Sequence, residues 1–313
     1  MMGANLRKLG MRGPRKQMAL EVKNKKWLGY TVYVVLVALF LLYLLFPVSA
    51  VEEFVAHSVT RINPDLAFKA AKIKPWIPAG LRIVEGRIYL RDAPGQPVFE
   101  ADKLYIAPQL LKLIRGDYFF TLEGEAYGGE IAGSIHAAGK GSAAFGTEVS
   151  FSDFNLGDYD LLAQKFTHRI SGSLSGGIVY GSSPAGNAGG SGRADLHLSG
   201  GQLQFQAPVF GISSIDLQSI DLGMELSGRK VTIVRAELAG QEVKASMTGT
   251  IQLQENVELS QVNLKGTLEF LAEFYKNHPD ILELLRSMKK RVRRGQYFFA
   301  ITGTLGTPRF MLL

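Results

Sequence analysis

Twenty consecutive residues without a charge, from Trp27 to Phe46 (WLGYTVYVVLVALFLLYLLF), constrain this chain more than anything else in it. A helix needs roughly 20 apolar residues to cross a hydrocarbon core of about 30 Å. A single segment can cross only as a helix, because lipid offers its backbone no hydrogen-bonding partner. The run therefore predicts one transmembrane helix, with Trp27, Tyr30, Tyr43 and Phe46 as its membrane-anchoring aromatics. Val48-Ser49-Ala50 has the small residues of a signal-peptide cleavage site, but the apolar run exceeds the usual 7–15 residues, which favours an uncleaved anchor.

Charge sets the orientation. Residues 1–26 hold eight basic side chains and one acid, Glu21, and so carry the whole net charge of +7. The remainder has 27 basic and 27 acidic residues and is neutral. The positive-inside rule places the basic tail in the cytoplasm and the rest across the membrane. A nucleic-acid interface would need a basic, aromatic face on the folded part; nucleic acid is not an expected partner. With no cysteine and no transit-peptide character, the expected setting is the bacterial inner membrane, single-pass, with a periplasmic C-terminal region.

Beyond the anchor the texture is β. Ile220-Asp-Leu222-Gly-Met224-Glu-Leu226 and Val243-Lys-Ala245-Ser-Met247 place every second apolar side chain on one sheet face. The expected fold class is mainly β: a curved, groove-like antiparallel sheet with few short helices. The expected division is a cytoplasmic tail (1–26), the transmembrane helix (27–46), a connecting region (47–80) and a first β-rich part (81–180). A Gly/Ser-rich linker or loop (181–193) and a second β-rich part (194–313) follow, the latter with a helical segment at about 268–292. Within the connector, Val51–Ile62 reads as a short helix; Gln109–Arg115 and Leu156–Phe166 are the other short candidates.

A motif of small residue, Gly, small residue, apolar residue recurs at Ala132–Ile135, Ser171–Leu174, Thr248–Ile251, Lys265–Leu268 and Thr302–Leu305. Glycine inside a strand marks a bend or a close backbone approach, and matched bends would curl the sheet. The apolar face then needs cover, either from a second packed layer or from an apolar ligand such as a lipid acyl chain.

No catalytic constellation stands out, and neither enzyme activity nor a cofactor is expected. The five histidines are scattered, and Gly172-Ser-Leu-Ser-Gly176 has Leu174 where a nucleophilic serine would stand. Gly139-Lys-Gly-Ser142 lacks the spacing of a phosphate loop, and Glu123 and Glu125 read as a solvated strand face. Lys289, Lys290, Arg291, Arg293 and Arg294 exceed what a helix C-terminus needs and form a candidate contact for lipid headgroups or an acidic partner.

The basic N-terminus, the one membrane helix, Tyr118-Phe-Phe-Thr-Leu122 and Ala126-Tyr-Gly-Gly-Glu-Ile-Ala-Gly133 together resemble the inner-membrane protein N of type II secretion systems. Leu198-Ser-Gly-Gly-Gln-Leu203, Gly228-Arg-Lys-Val-Thr-Ile233 and Thr302-Gly-Thr-Leu-Gly-Thr-Pro308 are similar to AsmA-type proteins. The first resemblance implies a structural component of the secretion machinery that contacts other subunits. The second implies a curved sheet with an apolar groove that binds or transfers lipid in the cell envelope. Neither brings catalytic residues.

Overall fold

The computed structural model describes residues 18–44, 48–62, 65–77, 79–91, 93–137, 145–159, 168–182, 190–209, 212–279, 292–293 and 296–313. They form two compact units, Met1–Pro47 and Val48–Leu313. In the first, α1 (Met18–Leu44) holds Trp27 and Tyr30 with exposed side chains. The Tyr43 side chain and Phe46 lie outside the described residues. Among those residues no helix is long and apolar enough to cross a membrane; the charge-free run extends past them, and the span rests on the sequence.

The second unit opens with α2 (Val48–Ile62), whose Val51, Val55 and Val59 recur every four residues, so one helical face is apolar. It packs against β1 (Leu66–Trp76). An antiparallel meander follows: β2 (Gly80–Leu90), β3 (Ala93–Pro108), α3 (Leu110–Ile114), β4 (Tyr118–Ala126), β5 (Gly129–Ala137) and β6 (Phe145–Asn155). Then come β7 (His168–Ser182), β8 (Ser191–Val209), β9 (Ile212–Ser227), β10 (Lys230–Gly240), β11 (Val243–Gln252) and β12 (Gln261–Phe270). The chain closes with α4 (Ala272–Asn277), β13 (Val292–Arg293), β14 (Gln296–Thr304) and β15 (Pro308–Leu312).

Each of β1 to β11 pairs with the next and β12 pairs with β14, so the fifteen described strands make one open, curved sheet; β13 and β15 share the free side of β14.

The structure bears on three of the expected segments. The connecting region already contains a strand, because Pro75 sits in β1 at the sheet edge, where a missing N–H is tolerated. The linker or loop at 181–193 joins two paired strands of one sheet, with Gly181 opposite Ser191 and Tyr180 opposite Gly192; residues 183–189 lie outside the described set. The helical segment from 268 begins instead as strand: Leu264, Gly266, Leu268 and Phe270 alternate with polar residues in β12, and helix starts only at Ala272. Leu156–Phe166 is seen as a single 3-10 turn at Leu156–Asp158, beyond which residues 160–167 lie outside the described set. Gln109 and Arg115 flank α3 as its caps.

Candidate functional site

Cross-strand partners share a sheet face, so the register can be followed across the whole meander. Starting at β1, one line of partners reads Ile73, Ile83, Leu104, Gly124, Ile131, Phe151 and Gly176. It continues through Leu196, Leu222, Ala236, Met247, Gly266, Phe299 and Leu312 at β15. Every member is apolar or glycine. The line two residues along repeats the result: Pro75, Leu81, Ile106, Leu122, Gly133, Val149 and Ile178, then Ala194, Met224, Ile233, Gly249, Leu264, Ile301 and Phe310. At 4.7–4.9 Å between strands, each line is about 60 Å long.

The other face is polar. Lys74, Arg82, Tyr105, Glu123, Ala132, Ser150, Gly177, Asp195, Gly223 and Arg235 follow one another there. Its charges pair across strands: Arg87 with Glu100 at 2.6 Å, Lys103 with Glu125 at 2.7 Å, and His197 Nδ1 with Asp221 at 2.9 Å. Hydrogen bonding to Glu125, then its charge, raises the Lys103 ammonium above its ordinary value. Glu125 is thus engaged by a lysine rather than set against Glu123 as a pair of acids. Among the described residues no group of three or more His, Asp or Glu could hold a metal ion.

Glycine positions fit the curvature. Gly124 and Gly266 lie in the first apolar line, each with a large side chain of the next strand over it. A Cβ at Gly266 would stand 2.5 Å from Phe299 Cζ, and one at Gly124 would stand 2.8 Å from Leu104 Cδ2. Glycine removes the side chain that would hold the neighbours apart, so the sheet can fold inward on its apolar side.

Cover on this face is uneven. Ile233, Val262 and Leu264 are buried, with Leu222, Met224, Ala236, Met247, Ile251 and Ile301 packed against them. At the strand ends on the α2 side, α4 sets Phe274, 1 % exposed, onto Val243 and Tyr297, with Ile215, Leu268 and Phe270 around it. Burial raises the Tyr297 phenol above its ordinary value. Earlier in the sheet the same side is filled by Tyr127, whose ring meets Phe99, Phe154 and Tyr159 at 6.1, 5.8 and 5.4 Å. The Tyr159 hydroxyl donates to the Val98 carbonyl at 2.9 Å, and burial raises that phenol too. Between β7 and β10 the face is open: a cleft of about 240 Å³ is lined by Ile178, Tyr180, Ala194, Met224, Leu226 and Val231, with Ile178 still 40 % exposed.

The aromatic segments singled out in the sequence split between faces. Tyr297 and Phe299 point to the apolar side, and Phe298 to the other. Phe120 stands opposite Ile135, whereas Phe119 carries the Lys112 ammonium 3.5 Å from its ring centroid. Of the basic run, Lys289, Lys290, Arg291 and Arg294 lie outside the described residues, and Arg293 is described only as backbone in β13. Gly139–Ser142 also lies outside them. No sequence motif marks Phe274, whose local signal is aromatic character beside a strand end; Tyr127 stands in the run Ala126–Gly133, which gave no sign of its packing. No protein-family model, no curated protein and no solved structure matches this chain.

Proposed function

We propose that this chain is a membrane-anchored protein of the bacterial cell envelope, its C-terminal region periplasmic, whose apolar sheet face shelters lipid acyl chains. The carrying observation is the pair of unbroken apolar lines across all fourteen strand positions, with an open cleft between β7 and β10. Apolar side chains left in water forfeit about 25 cal/mol per Å², so a half-covered stripe favours an apolar occupant. A line of about 60 Å is twice the roughly 30 Å thickness of a hydrocarbon core, which suits a path along the sheet better than a single pocket. The charged opposite face gives the sheet its water-facing side.

The test uses neighbouring residues on opposite faces. A photo-crosslinking amino acid at Ile178 should capture phospholipid from cells expressing the full chain, and the same group at Ser150, which stands opposite Gly177 on the polar face, should not. Equal capture at both positions, or none at Ile178, would overturn the groove.

A second reading, the assembly role implied by the resemblance to secretion-system protein N, is favoured by the free edge of the sheet. Among the described strands β15 pairs with β14 alone, and Phe310 and Met311 on it are 55 % and 47 % exposed. A strand from another secretion subunit could extend the sheet there. Co-purification of such subunits that is lost on substituting prolines into β15 would support this role.

A further inference from the structure

We propose that the turns at one end of β1 to β4 form a foot that dips into the surface of the bilayer holding the anchor; this rests on reading residues 27–46 as a transmembrane helix. Four of the five residues of α3 are large, apolar and exposed, Leu111 at 79 % and Ile114 at 83 %. A soluble surface helix buries such a stripe; α3 has no buried residue. Beside it, at the same end of these adjacent strands, the turn between β1 and β2 exposes Trp76 at 41 % and Ile77 at 67 %. Trp76 packs on Tyr105 with centroids 5.2 Å apart, which ties the end of β1 to the end of β3 just ahead of α3.

The charges around this apolar tip select the occupant. Lys112 and Arg115 flank the exposed residues of α3, and Lys74 and Arg82 stand opposite each other where β1 and β2 meet the turn. Asp117 is the acid among the described residues of the two turns. Tryptophan, leucine and isoleucine ringed by lysine and arginine is the composition that settles at an anionic headgroup boundary. A short apolar segment of this kind binds a membrane only marginally by itself. Tethered by an anchor that ends twenty residues before β1, with α2 between them, it meets the surface at a raised effective concentration. These four strands come soonest after the anchor in sequence, so the foot would fix the near end of the apolar lines at the bilayer from which a lipid must enter.

The chain has no cysteine, so one can be introduced and labelled at a chosen place. The full chain carrying Ile114→Cys with an environment-sensitive dye is reconstituted in phosphatidylglycerol-rich or phosphatidylcholine vesicles, with Ser246→Cys on the polar face as reference. The Ile114 dye should shift to the blue and be quenched by doxyl-labelled lipid, more in the anionic vesicles and less at high salt. The reference dye should do neither, and adding Leu111→Glu should abolish quenching with the melting temperature unchanged. A chain that stays in the vesicles through an alkaline carbonate wash while its Ile114 dye is quenched no more than the reference overturns the foot alone. A blue shift without lipid quenching marks a protein occupant, such as a second copy, and overturns it too. A chain removed by the wash overturns the anchor and the foot together.

Discussion

Removing the phenyl ring of Phe274 tests whether α4 holds the apolar face closed at one end. The ring is 1 % exposed and lies 4.3 Å from Phe270 and 4.9 Å from His278, centroid to centroid, with Val243 and Tyr297 beneath it. Fully burying a phenylalanine contributes about 1.5–3 kcal/mol, and the cavity left by truncation adds to that loss. Phe→Ala at a buried site typically costs about 3–5 kcal/mol, and the aromatic neighbours place Phe274→Ala in the upper part of that range. Urea unfolding of the full chain in detergent micelles, followed by the fluorescence of Trp76 in β1, reads the loss. Phe310, 55 % exposed on β15, is the internal comparison, and Phe310→Ala should cost about 1 kcal/mol or less. Trypsin adds a local readout, because undocking of α4 would speed cleavage after Lys276, which lies within it. A Phe274→Ala chain that unfolds with the Phe310→Ala chain, and is cut at Lys276 no faster than the parent, would refute the docking of α4 on the sheet.

The same packing yields two more expected outcomes. Gly266→Val should destabilise the sheet by about 1–3 kcal/mol or more, because the new Cβ meets the Phe299 ring and backbone of the adjacent strand; an unchanged urea midpoint would remove the reason given for glycine in the apolar lines. Tyr159 and Tyr297 have phenols raised by burial, so the folded state holds their protons more tightly than the unfolded chain does. Their stabilisation is complete below the ordinary phenol value near 10 and is lost as pH rises through the raised values. Absorbance at 295 nm should therefore show these two titrating after the exposed tyrosines, and substituting both by Phe should flatten the alkaline loss of stability.

Alternation is local, and it is legible wherever a strand keeps strict period two. Ile220 to Leu226 shows its apolar set directly, and each member lies on the apolar face of β9. Where the chain departs from period two, inspection misleads. Phe151 and Phe154 are three apart, so a flat strand would send them to opposite faces. Asp153, at φ +57°, adds a residue to β6 and returns both rings to the apolar side, stacked at 4.9 Å. Gly172, at φ +133°, accompanies a shift of register in β7 between Ser171 and Ser173. The residues from Leu268 onward read as helix because the segment continues to Ile281, Leu282, Leu284, Leu285 and Met288, which recur at helical spacing. Pairing of Leu268 with Ala245 and Tyr297 settles the first of them as strand.

By itself, then, the sequence determined the charge-free run at 27–46, the neutral charge balance of residues 27–313 and the two-residue period of the β region, all of which depend on neighbours along the chain. Only the tertiary structure decided register: which apolar residue of each strand stands beside which of the next, where a bulge restores the face, and which glycine lies under a neighbour's ring. Register depends on hydrogen bonds between segments far apart in sequence, and a slip by one residue would turn every side chain of a strand to the opposite face. The continuous apolar face exists only because the registers of all these strands agree.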